Sequence, residues 1–314
     1  MRVRINDIRA CGIELGKDIL FPARCPVCHD VIPIERRIPH YRLKMRAASR
    51  PVTSLSIKEL LGSYVCPECL SDLAFIGFPY CQKCGKPLLH SHHSGVRNAR
   101  AGCADCRRKE RVFRQCRCLL TYDETAQEIM ADIKYHARQE YVWLMAALAA
   151  QRLGPWIRAV HPDAFVPVPI HPDRRVVRGY NQAELLAEAL SEILAQADPA
   201  DSREGQGRKG SDTGGSGGGS PDRNKKIPVR SDLLIRIKKT EAQKELTAEA
   251  RLLNLQNAFE ASEDLRGWTQ PSRLLLIDDI YTTGATLNAC AEELLRAGAS
   301  DVYGLCIAAG EDVN

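Results

Sequence analysis

The chain has 314 residues, with 44 Lys+Arg, 39 Asp+Glu and 13 Cys. That length suits about two domains rather than one core. It holds no run of ~20 apolar residues, which excludes a transmembrane helix. Residues 1–24 mix Arg, Asp, Glu and Lys among apolar positions and lack the apolar centre of an export signal, so the expected location is cytoplasmic.

The net charge of +5 is unevenly placed. Residues 1–118 carry 22 Lys+Arg against 10 Asp+Glu, net +12; residues 119–314 carry 22 against 29, net −7. Two four-cysteine zinc sites of about −2 each would leave the first part near about +8. Such asymmetry points to a polyanion partner for the front half. The plainer reading is a solvated basic surface.

Ten of the 13 Cys lie between residues 25 and 118. Outside an oxidising compartment, that density points to metal rather than disulfides. Four Cys-x-x-Cys knuckles follow one another: Cys25 and Cys28, Cys66 and Cys69, Cys81 and Cys84, Cys103 and Cys106. Each places two thiolates where a tight turn brings both to one ion, and Gly85 suits the turn after Cys84. Eight such ligands predict two closed tetrahedral Zn²⁺ sites. Pairs three and four have 18 residues between them, the usual ribbon spacing. Pairs one and two have 37, explained by an insertion at 31–63 if the knuckles pair in order. A crossed pairing stays open. The insertion holds Arg36, Arg37, Arg42, Lys44, Arg46, Arg50 and Lys58 and is expected to be an exposed basic arm. His90, His92 and His93 read as loop residues. Cys116 and Cys118 share one face of an expected strand over 112–122 and read as buried apolar Cys.

A second domain is expected from residue 118. Asp123 or Thr125 caps a helix ending near His136, and a second helix covers 141–153. Residues 164–169 read as a strand, followed by a loop from His171 to Gly179 and a helix opening at Tyr180. Residues 202–226 contain eight Gly among polar residues and read as a disordered insertion. Strands are expected again at 233–236, 273–277 and 302–308. Alternating helices and apolar strands predict an α/β domain with a mostly parallel sheet, and ligands belong at its carboxyl edge.

One stretch there carries chemistry. Leu274-Leu275-Leu276-Ile277 fits a strand buried on both faces. Asp278 and Asp279 follow, then Tyr281, Thr282, Thr283, Gly284, Ala285 and Thr286, and then helical spacing over 287–295. A strand feeding a small-residue loop and a helix N-terminus is an anion pocket. Carboxylates one step earlier can accept from sugar hydroxyls. Phosphate at one end and diol at the other describe a ribose 5-phosphate site.

The segment resembles the phosphoribosyl-diphosphate (PRPP) signature of type I phosphoribosyltransferases. The wider arrangement resembles the ComF competence family. The matching strings are the knuckles, Val166-Pro-Val-Pro-Ile-His-Pro172, Arg178-Gly-Tyr-Asn-Gln182, Thr240 with Gln243, Arg251 and Asn254 before Ala258-Phe259, and 277–287. This chain departs from the family at Ala250-Arg251, where Glu-Arg is usual, and at Leu246-Thr247, where Ser usually follows Leu. The resemblance implies a double zinc ribbon over 1–117 and a phosphoribosyltransferase-like α/β domain over 118–314. It also implies natural transformation, handling of incoming single-stranded DNA in the cytoplasm, and contact with the DNA-uptake machinery.

On that reading Asp278 and Asp279 meet the ribose hydroxyls, either one also steadying positive charge at the anomeric carbon. The stretch from Tyr281 to Thr286 holds the 5′-phosphate. Arg174, Arg175 and Arg178 are candidates for the diphosphate, which guanidinium fits in a fork, with Mg²⁺ alongside; the plainer reading is surface arginines. His171 reads as structural, and Tyr41 or Tyr64 as a stacking ring for bases. Three functions compete: a DNA-uptake factor with a PRPP-type pocket, an active phosphoribosyltransferase of nucleotide salvage, and a structural zinc adaptor. The charge split and the lack of a base pocket favour the first. The intact signature argues against the third.

Overall fold

The computed structural model describes residues 24–33, 56–62, 64–88, 102–136, 138–196, 226–237, 258–263 and 272–311. Most of the 31–63 and 202–226 insertions, the histidines at 90–93, and positions 240–254 lie outside the described residues.

Four parallel strands make the central sheet, in the order β1 (Cys116–Thr121), β6 (Asp301–Ala309), β5 (Arg273–Tyr281), β2 (Ala164–Pro167). β5 and β6 are interior, which is why both read as near-continuous apolar runs. β5 is longer than expected, running past Ile277 through both aspartates to Tyr281. β6 stays beside it, with Asp278 opposite Cys306 and Tyr281 opposite Ala309. The backbone groups of the carboxylate segment therefore remain paired.

One face of the sheet is covered by α3 (Glu124–Tyr135), α4 (Gln139–Val160) and α6 (Gln182–Ala195), the other by α7 (Ala285–Arg296). Asp123 caps α3, accepting from the Ala126 N–H at 2.9 Å. α4 continues beyond the expected end at 153. Pro155 removes a helix hydrogen bond, but Ile157 and Val160 are buried and hold the last turn in place. The expected loop 171–179 is largely the short helix α5 (Pro172–Arg178). His171 Nδ1 accepts from the Asp173 N–H, Pro172 opens the helix, and Gly179 closes it at φ 82°.

Residues 233–236 do not join the parallel sheet. They form β3 (Leu234–Arg236), antiparallel to β4 (Phe259–Ala261) in a separate two-stranded ribbon. Leu234 is buried while Ile235 is 48% exposed, an alternation that suits a ribbon with one wet face.

The end of the expected basic arm is also folded. Ser56 and Glu59 make a reciprocal capping box, Ser56 Oγ accepting from the Glu59 N–H at 3.1 Å and the Glu59 carboxylate from the Ser56 N–H at 2.6 Å. The helix it starts, α1 (Ile57–Gly62), buries Leu60 and Leu61 in the core shared with α3 and α4. Tyr64 follows and is only 6% exposed, so it offers no ring face to a base.

The cores cross the expected boundary at 117/118. Cys25, Ile32, Val65 and Cys69 pack with α3 and α4, and Cys81, Cys84, Cys103 and Phe113 pack with β1, β5 and α7. The Cys116 N–H donates to the Lys83 carbonyl at 2.8 Å. Gly85, at φ 79°, lies so close to β1 that a Cβ would stand 3.0 Å from the Cys116 carbonyl oxygen.

Candidate functional site

The carboxyl edge of β5 gathers the site. Asp279 is buried on the face of α3 and α6. Lys134 Nζ of α3 lies 2.8 Å from its Oδ2, and Gln182 Nε2 of α6 donates to the same oxygen at 2.7 Å. Arg178 of α5 donates to Gln182 Oε1, so the chain Arg178–Gln182–Asp279–Lys134 ties four elements together. Burial opposes ionisation of Asp279, but the Lys134 charge and these hydrogen bonds outweigh it and hold the carboxyl below its ordinary range. Burial likewise works against the Lys134 charge, and Asp279 more than compensates.

Asp278 is placed differently. Its Oδ1 accepts from the Asp279 N–H at 2.9 Å. Burial first, and then the charge on Asp279, push its carboxyl up to about 8. Two adjacent carboxylates are thus driven apart, one ionised and one holding its proton near neutrality. This has a stability consequence. The folded value of about 8 lies above the unfolded value near 3.8, so the folded state binds the extra proton across that window. Stability from Asp278 is full at low pH and is lost as pH rises through about 8. Asp278→Asn should therefore melt with less pH dependence between pH ~5 and ~9 than the wild type. The two curves should differ by a few °C, since ~1 kcal/mol moves Tm by about 2–4 °C in a folded unit of about 150–250 residues. Parallel melting curves would refute the assignment.

After Tyr281 the chain turns through Thr282 and Thr283, and Gly284 is the N-cap of α7 at φ 73°. Thr283 Oγ1 accepts from the Ala285 N–H at 3.4 Å. Tyr281 turns inward: it is buried, packs edge-on to Phe113 at 6.5 Å, and lies under Gly284, where a Cβ would come within 2.1 Å of its hydroxyl. Its contribution to the loop is to shape it from below, and only glycine fits above it.

Three participants have no role assigned from sequence alone. Gln182 belongs to a matching string without a stated task. Lys134 carries a weak signal: it falls four residues after buried Met130, on the margin of the helix's buried face. Arg111 counts toward the basic front half but is 6% exposed. Its guanidinium donates to the Thr283 carbonyl at 2.7 Å, and the neighbouring Val112 N–H donates to Asn288 Oδ1 at 3.0 Å. The segment before β1 thus braces the loop and the first turn of α7. Of the loop arginines, Arg178 reaches the aspartate network. Arg175 pairs instead with Glu184 at 3.0 Å, and Arg174 is exposed on α5.

The eight knuckle cysteines form two sets, paired in chain order: Cys25, Cys28, Cys66, Cys69 and Cys81, Cys84, Cys103, Cys106. Within each set the sulfur atoms lie within 4.8 Å of one another. Cys28 and Cys66 are 3.5 Å apart, as are Cys84 and Cys103. In the second set this crowding pulls Cys81 down and pushes Cys84 up, through hydrogen bonds with Cys103 and Cys106. Four converging thiols are the donor set of a closed tetrahedral zinc site, which relieves that conflict by taking all four as thiolates.

No protein-family model matches the chain. It is 26% identical to Competence protein F of Haemophilus influenzae over 76% of its own length and 87% of that protein's. It is 28% identical to Competence protein ComFC of Streptococcus pneumoniae, covering 76% and 85%. The chain is thus similar to proteins named for competence. It is also 26% identical to DNA utilization protein YhgH of Escherichia coli, over 72% of its own length and 82% of that protein's. Among the described residues no helix is long and apolar enough to cross a membrane.

Proposed function

We propose that this chain serves DNA uptake in the cytoplasm as a phosphoribosyltransferase-like protein. It holds PRPP or another ribose 5-phosphate ligand at β5 and binds single-stranded DNA through its basic front half. The observation that carries the ligand reading is the Asp278–Asp279 pair at the carboxyl edge of the sheet, directly before a glycine-capped helix N-terminus. Asp278 and Asp279 face the ribose hydroxyls. The Thr282–Thr286 backbone and hydroxyls take the phosphate. Arg178, linked to Asp279 through Gln182, and Arg174 on the same short helix are the candidates for a diphosphate with its Mg²⁺. The names of the relatives support the DNA role. The divided carboxylates also suit pentosyl transfer, and turnover of labelled PRPP with a panel of bases separates that reading from ligand sensing.

The DNA reading is tested on the full chain, because the second cysteine set shares a core with β1. Arg107, Arg108 and Lys109 are exposed at the end of α2 (Ala104–Arg108) and just beyond it. Replacing all three by Ala should weaken binding of an oligonucleotide without sequence preference. The slope of log affinity against log salt should become shallower by about 0.7 for each phosphate left without its cationic partner. Unchanged affinity and slope would remove this surface from the DNA path.

A further inference from the structure

Neither zinc set uses Cys116, Cys118 or Cys306, and all three are buried. Cys116 and Cys118 are two apart on β1 and share a face. The parallel register of β1 with β6 sets Cys306 directly opposite Cys118. The three sulfur atoms consequently lie within 4.8 Å of one another. Gly304 makes room for them: a Cβ there would stand 3.1 Å from Cys116 Sγ and 2.4 Å from Leu287. Three small apolar side chains would fill this space without bringing three soft donors to one point.

One member of the trio lies beside a cleft at the edge of the sheet. Cys118 lies in the wall of a cleft of about 180 Å³, with Ile76, Tyr80, Leu119 and Trp156. Arg117, 4.6 Å over the Tyr80 ring, lines the same cleft. Arg117 and Lys86, the latter paired with Asp105 at 2.6 Å, place positive charge beside Cys118.

We propose that Cys116, Cys118 and Cys306 are a further metal site, a three-thiolate centre for a soft monovalent cation, Cu(I). Zinc favours four protein ligands in a closed site, and among the described residues no fourth Cys, His, Asp or Glu joins this group. Thiolate donors select soft ions, Cu(I) among them. On binding, three S–H bonds ionise, the protons pass to solvent, and three Cu–S bonds form, with copper remaining Cu(I). This inference does not rest on the ribose-phosphate or DNA readings.

The test starts from zinc-loaded, reduced, full-length protein given one equivalent of Cu(I) from a weak acetonitrile complex. Retained copper, released zinc and competition against a Cu(I) chelator are read together. Wild type should retain the copper and release no zinc. Cys306→Val, which keeps the core filled, and Cys118→Ala with Cys306→Ala should keep their zinc. Both should lose copper affinity by more than the about 100-fold that loss of an outer-sphere partner costs. Zinc release by the first equivalent in wild type would overturn the proposal. So would equal chelator competition by Cys306→Val, or a third zinc ion retained in place of copper.

Discussion

Cys81→Ser combined with Cys84→Ser should lower bound zinc from about two ions per chain to about one and abolish the cooperative melt. Zinc binding in such sites is folding energy, on the order of 10 kcal/mol or more, against a whole-domain stability of only about 5–15 kcal/mol. Here the second cysteine set is part of the sheet's own roof. Cys81, Cys84 and Cys103 lie in the core with Leu274, Leu276 and Cys306. Gly85 touches the β1 backbone, and Cys116 donates to Lys83. Releasing that knuckle uncovers one face of β1 and β6. It also frees the segment through which Arg111 braces the Thr282–Thr283 turn. Elemental analysis beside a thermal melt reads both effects. About two zinc ions per chain and an unchanged melt in the variant would show that these thiols hold no ion.

The parts that the sequence made legible are those where one local rule acts alone. Leu274 to Ile277 fitted a buried parallel strand, because four apolar residues in a row suit a strand covered on both faces. Asp123 as a cap and Gly85 as a turn are decided by residues within a few positions of them. The parts that were not legible depend on partners distant in the chain. β5 continues through two carboxylates because β6 keeps pairing with it. The residues of β3 have the composition of a sheet strand, but their partner is β4 and one face stays wet. Lys134 and Arg111 look like ordinary surface charges until Asp279 and Thr283 are brought against them, 145 and 172 positions away in sequence. Charge counting places Arg111 on a polyanion surface, and packing moves it into the core.

The measurement that bears most directly on the central claim is calorimetry of Mg²⁺–PRPP binding to wild type and to Asp278→Asn with Asp279→Asn. Amides keep the shape of the carboxyl groups but give up the Asp279 charge and one oxygen at each position that could serve a ribose hydroxyl. Asp279→Asn also removes the partner of half-buried Lys134, at a cost of up to about 3 kcal/mol. Zinc content and melting therefore accompany each titration, and Asp278→Asn alone leaves the Lys134 pair intact. Gly284→Val probes the other end of the site. Its Cβ would meet the Tyr281 ring at 2.4 Å and its hydroxyl at 2.1 Å, at a φ of 73° that valine resists. The account predicts saturable heat with wild type, none with the double variant or Gly284→Val, and weakened binding with Asp278→Asn. Equal heats from wild type and a folded double variant would contradict it, and the aspartates would then have to be explained without a ribose ligand.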